Sequence, residues 1–265
     1  MKITAMAVIA LMVATGTIRN VRAMDRSAAP IASASASGSD SLAGIRADRL
    51  SPRQLRIWRS IERIVLARDQ AGRALHPNLR ELWQQVQASS HVVFIVLQDQ
   101  REHGHSDCAG RFAIDEFDPA GERHVASVQL NLAIIDRAYI DPASTVADGF
   151  AQFTGLSREE RYVEVLGHEL AHAVWSFQDV ARARMIVERY ELGKQLSIEL
   201  QRDAKQKNLS PKTRDLMARL RSLGEVIEEP AYTMEAKIWQ ELVSVHLGQR
   251  ELPGATPWTM RTPWQ

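Results

Sequence analysis

The run His168-Glu169-Leu170-Ala171-His172 lies inside the most clearly signalled helix of the sequence, and no other feature restricts the fold as strongly. Ser157-Arg158-Glu159-Glu160 has the capping-box spacing that starts a helix. Tyr162, Val163, Leu166, Leu170, Val174 and Phe177 follow as an apolar stripe that must face a core. Residues four apart on a helix share a face, one turn above the other. The two imidazoles therefore come close enough to bind a single metal ion. Glu169, one residue round, is too displaced to join them as a ligand but reaches a water beside the ion. Gly167, Ala171 and Ala173 keep the helix slim where a neighbour must approach. Glu164, one turn before His168, reads as an acid behind the histidines or in solvent, because three ligands along one straight helix diverge from a single ion.

A catalytic metal site needs a third protein ligand from elsewhere. Gly224 reads as the end of one helical stretch, and Glu225 to Tyr232 as the start of another. Pro230 then falls in a first turn, where proline is harmless. The spacing Glu228-x-x-Ala231 makes Glu228 the leading third ligand, with Glu229 and Glu235 as alternatives. The plainer account of these acids is that negative charge is favoured at a helix N-terminus. Tyr232 lies one turn beyond Glu228 on the same face. Tyr232 and His246 are the candidates for donating a hydrogen bond to a developing oxyanion.

His168-Glu169-x-x-His172 with the downstream Glu228-x-x-Ala231 resembles the gluzincin branch of zinc metallopeptidases. The resemblance implies an α+β, zincin-like fold: a small twisted mixed β-sheet packed on the helix that bears both histidines, with an edge strand bordering the substrate cleft. It implies His168, His172 and Glu228 as ligands of Zn2+, and Glu169 as general base and acid. The match is specific over Val163–Val174 and loose over Glu228–Glu235. The metzincin extension is absent, since Trp175, Ser176 and Gln178 follow His172. Tyr232 stands where several gluzincins carry a carboxylate that orients the first histidine.

The remaining residues organise the chain around this motif. Of 265 residues, 45% are hydrophobic, and 33 Lys and Arg stand against 32 Asp and Glu, so no basic excess calls for nucleic acid. With Cys108 as the sole cysteine, no internal disulfide forms. Lys2, the uncharged apolar run Ile3–Thr17 and Val21-Arg22-Ala23 read as a signal peptide over residues 1–23, with an uncleaved membrane anchor as the alternative. Residues 24–47 are an Ala/Ser-rich linker too poor in apolar side chains to order itself. Residues 48–250 form the domain, and 251–265 a tail.

Within the domain, Ser51-Pro52 starts an amphipathic helix to about Arg68, and a shorter helix spans Asn78–Ala88. His91–Leu97 reads as a buried strand and Arg111–Phe117 as a second, ended by Asp118-Pro119-Ala120-Gly121. Ala126–Ile134 alternates as a third strand, which is either a docking edge for an extended peptide or internal. His103, His105, Asp107 and Cys108 read as a polar surface loop rather than a second metal site. Ala181–Asn208 and the helix after Ser210-Pro211 form a charged helical hairpin placed to cover the cleft. The expected protein is an exported (periplasmic or secreted) zinc-dependent metallopeptidase acting on a peptide or protein, with no stable membrane span after signal cleavage. Zinc hydrolysis of a non-peptide amide, such as a cell-wall crosslink, would use the same residues. A zincin-shaped binding module without turnover is the third reading, and the presence of Glu169 speaks against it.

Overall fold

The computed structural model describes residues 43–98, 108–140, 155–206, 208–246 and 248. The expected signal peptide, nearly all of the linker, His103, His105 and Asp107 of the polar loop, and the tail lie outside the described residues. Cys108 is described and is exposed.

The described chain runs β1 (Gly44–Arg46), α1 (Pro52–Val65), α2 (Pro77–Ala88), β2 (Val92–Gln98), β3 (Gly110–Glu116) and β4 (Val125–Asn131). Four helices follow: α3 (Leu132–Ile140), α4 (Arg158–Phe177), α5 (Val180–Gln206) and α6 (Pro211–His246). This is the expected α+β order, a four-stranded mixed sheet followed by a mainly helical C-terminal part.

Local chemistry accounts for most of the boundaries. Ser51 caps α1 in a reciprocal box with Gln54, and Pro52 supplies the first turn. Trp58, Ile61 and Val65 put one face of α1 into the core. Ser157 caps α4 in the same way, with Glu160 Oε2 accepting from the Ser157 backbone N–H at 2.6 Å. After β3, the Asp118 carboxylate accepts from the backbone N–H groups of Ala120, Glu122 and Arg123. Gly121, at φ 77°, completes that turn.

The sheet has the order β1-β2-β4-β3. β1 and β2 are parallel, as are β2 and β4, while β3 runs antiparallel to β4 on the outer edge. Two expectations are corrected here, and one open alternative is decided. Gly44–Arg46 belongs to the sheet rather than to the linker, because backbone pairing with Val92–Phe94 and the packing of Ile45 against the core order it. The alternating strand stops at Asn131 instead of Ile134, since the Asn131 side chain accepts from the Ile134 N–H and starts α3. That strand, β4, is internal and has no free edge for a peptide; β3 and β1 are the edge strands.

α4 is the central helix, packed on β3 and β4 and against α1, α2, α5 and α6. Its slim face is used as expected: a Cβ on Gly167 would run into the Ile238 side chain of α6. α6 is one continuous helix through Gly224, with Pro230 in its interior, so the expected break is absent. Both halves are seated by packing. Leu216 packs with Leu192 and Leu196 of α5, and Ala231, Ile238 and Leu242 join the main core. Tertiary burial on both sides of Gly224 outweighs its weak helix propensity. α5 and the first half of α6 form the expected hairpin. Among the described residues no helix is long and apolar enough to cross a membrane.

Candidate metal centre

Helix α4 projects His168 and His172 from one face, one turn apart, and α6 brings Glu228 to them. His168 Nε2 and His172 Nε2 stand 3.1 Å apart. Glu228 Oε2 lies 3.3 Å from the first and 3.2 Å from the second. These three side chains could hold a metal ion between them, and among the described residues no other group of His, Cys, Asp and Glu is so arranged.

The alternatives for the third position are separated by the helical turn of α6. Glu229 points to solvent. Glu235 is buried, two turns beyond Glu228 on the same face, and meets the opposite side of the first histidine: His168 Nδ1 lies 2.8 Å from Glu235 Oε2. A carboxylate can only accept, so Nδ1 carries a proton, and Nε2 is the nitrogen that would be left to ligate a metal ion. The orienting acid that the sequence reading missed at Tyr232 is thus Glu235. The seven-residue interval from Glu228 to Glu235 was the available signal, because it returns to the same helix face after two turns. His172 Nδ1 is buried and has no hydrogen-bond partner among the described residues.

Glu169 leaves the helix toward β3 and is 5% exposed. It fits only because residue 110 lacks a side chain: a Cβ on Gly110 would collide with the Glu169 carboxylate and with Val165. The edge strand therefore runs directly past the acid, and Phe112, two residues on, stacks 6.5 Å from the His172 ring. Burial raises the Glu169 carboxyl above its ordinary range, with the two histidines opposing the shift.

Tyr232 is placed at the cluster, its ring 5.1 Å from that of His168. Burial, reinforced by the Glu228 and Glu235 charges, pushes its hydroxyl up to about 12, so it remains an O–H donor at neutral pH. His246 is elsewhere, 3.7 Å from Glu160 at the start of α4. Glu164 is neither a ligand nor solvated. It is 5% exposed behind the site, and burial together with the nearby Glu235 raises its carboxyl to about 8.

Glu228 is an anion in this setting. Burial alone would raise its carboxyl, but His168, His172 and Arg189 hold it well below the usual carboxylate range. Arg189 comes from α5, its Nη1 donating to Glu228 Oε1. Sequence reading treated that helix as an ordinary charged face, and nothing in the local pattern singles out one arginine among its many charges. No family model, curated protein or solved structure matches the chain.

Proposed function

We propose that the protein is a zincin-like, zinc-dependent metallopeptidase of the gluzincin type, in which His168, His172 and Glu228 hold the ion and Glu169 handles protons. One observation carries the reading: the three donor atoms form a triangle with sides of 3.1, 3.2 and 3.3 Å. At zinc–donor distances of about 2.0–2.1 Å, neighbouring corners of a tetrahedron stand about 3.3–3.4 Å apart, so the triangle matches one tetrahedral face. Two imidazoles and one carboxylate favour zinc over the hard, oxygen-seeking cations magnesium and calcium. The oriented Nδ1–H of His168 adds the carboxylate support usual for a zinc-bound histidine.

Bound there, zinc supplies Lewis acidity, acidifying a water and polarising the scissile carbonyl. The chain's own residues supply the rest. Glu169, its basicity raised by burial, takes the proton of the attacking water and passes it to the leaving amine. Tyr232 offers its O–H to the oxyanion. β3, as an edge strand, gives an extended peptide a place to pair alongside Glu169. The N-terminal apolar run implies that this chemistry takes place outside the cytoplasm.

The test is a metal assay on the purified chain paired with a Glu169→Gln variant and a general protein substrate such as casein. Zinc bound one to one in both forms, with cleavage reduced by roughly 10²–10⁴-fold in the variant, is the expected result. Stoichiometric zinc without Glu169-dependent cleavage would favour the binding module. Cleavage confined to cell-wall fragments would favour the non-peptide amide reading.

A further inference from the structure

Arg189 reaches the ligand cluster from α5, and its contact with Glu228 occupies only part of its hydrogen-bonding capacity. Nη1 donates to Glu228 Oε1, while Glu228 Oε2 faces the histidines. A guanidinium carries five N–H donors in a flat fork. The contact with Glu228 is the hydrogen bond Arg189 makes among the described residues, and the side chain is 39% exposed.

Two further cations flank the neighbouring Tyr190. Tyr190, the next residue, is 41% exposed, and Arg111 of β3 lies 5.1 Å from its ring centre. Lys194 lies 4.1 Å from the same ring. The acids of this stretch of α5 are ion-paired, Glu191 with that same Lys194 at 2.8 Å and Glu188 with Arg219 at 3.2 Å, and neither engages Arg189. Arg189 is the guanidinium that touches the cluster, whereas Arg111 leaves β3 on the face opposite to Gly110 and Phe112 and meets α5 at Tyr190. A guanidinium next to a site for a divalent cation is also repelled by that cation, a cost that falls when a further anion arrives.

We propose that Arg189 is a specificity-determining residue whose outward edge receives a substrate carboxylate close to the scissile bond, so that the site selects peptides carrying either an Asp or Glu side chain or a free C-terminus at that place. The inference rests on the metallopeptidase reading and extends it to a substrate class. Planar two-point pairing with a carboxylate is what a guanidinium offers beyond a point charge.

The test separates the two readings. The zinc-loaded chain is titrated calorimetrically with monohydroxamates of the dicarboxylic acids from malonic to adipic, each compared with its terminal amide. The hydroxamate end addresses the metal, and the other end reports on Arg189. The carboxylate member binds about tenfold tighter than its amide at one chain length or more. Arg189→Gln brings that ratio to near one, and Arg189→Lys retains part of it. Equal binding of acid and amide at every length, with zinc bound stoichiometrically, overturns the Arg189 proposal and leaves the peptidase reading standing. A ratio unchanged in zinc-loaded Arg189→Gln overturns it as well. If the chain binds no zinc, the underlying reading fails and this inference fails with it. Should Arg189→Gln lose zinc because Glu228 is released, the unmodified chain and Arg189→Lys still decide the matter. Cleavage of peptide mixtures with free and amidated C-termini then assigns the source: enrichment of Asp or Glu beside the cut that survives amidation identifies the side chain, and loss of cleavage on amidation identifies the terminus.

Discussion

At the scale of single residues, the site depends on which oxygen meets which nitrogen. Glu228 and Glu235 lie on one face of α6, yet Glu228 faces Nε2 of both histidines while Glu235 takes the far nitrogen of His168. Their replacements should differ accordingly. If the proposed metallopeptidase function holds, Glu235→Gln keeps the His168–His172–Glu228 triangle but loses the charge on the Nδ1 side of His168, so metal affinity or activity falls about 10–100-fold. On the same proposal, Glu228→Gln removes the anionic member of the triangle, and the expected loss of metal is larger. Competition with a calibrated chelator reads both, and equal losses would contradict the assignment of roles. His168, Glu169 and His172 were legible because helix geometry places them from local spacing alone. Gly110 and Arg189 were not. Each matters through a neighbour more than 30 positions away in the chain, where local spacing carries no information.

At the scale of elements, sequence signals and packing agree for α1, α2 and α4, each of which has its own start signal and apolar face. They disagree at α6. Gly224 and Pro230 are both poor helix formers, and the chain reads as two helices meeting near the third ligand. The continuous helix survives because Leu216 is held by α5 on one side, while Ala231, Ile238 and Leu242 are held by the main core on the other. An interior proline forgoes one helical hydrogen bond and crowds the preceding turn. Pro230→Ala is therefore expected to stabilise the metal-free protein by about 1–3 kcal/mol, read from the midpoint of urea unfolding at unchanged slope. No gain would mean that the helix already relieves the proline locally. Remote capping has the same tertiary character: Glu241 of α6 accepts from the Asn78 backbone N–H at 2.7 Å, serving an α2 whose own N-cap, His76, makes no side-chain cap bond.

At the scale of the whole molecule, one end of the sheet is joined to the end of α4 by stacked rings. His91 lies 5.0 Å from His124 and 4.1 Å from Phe177, and Phe117 covers the outer face of His124. Each imidazole uses Nδ1 to accept a backbone N–H, His91 from His124 and His124 from Asp118. Burial lowers both below the ordinary histidine value, with the two rings' mutual repulsion adding to the shift at His91 and Asp118 opposing it at each. The folded state thus prefers both rings neutral. Their contribution to stability is complete above the unfolded value of about 6.5 and is lost as pH falls below it. A His91→Asn/His124→Asn variant keeps an acceptor at each Nδ1 position without a titrating ring. Compared with it, the unmodified protein should lose additional stability as pH falls below about 6.5 in thermal melts. Parallel profiles would assign the acid sensitivity to other groups.

The amino-acid sequence alone determined the α+β order, the capped helix with its paired histidines, the strand pattern and a short list of acids for the third position. These follow from interactions within a few residues of one another, where periodicity and capping leave their mark. Only the tertiary structure decided that β4 is internal with β3 at an edge beside α4, that α6 runs unbroken, that Glu235 meets His168 and that Arg189 comes to lie against Glu228. Those outcomes depend on which surfaces bury against which, and burial energy acts between segments far apart in the chain.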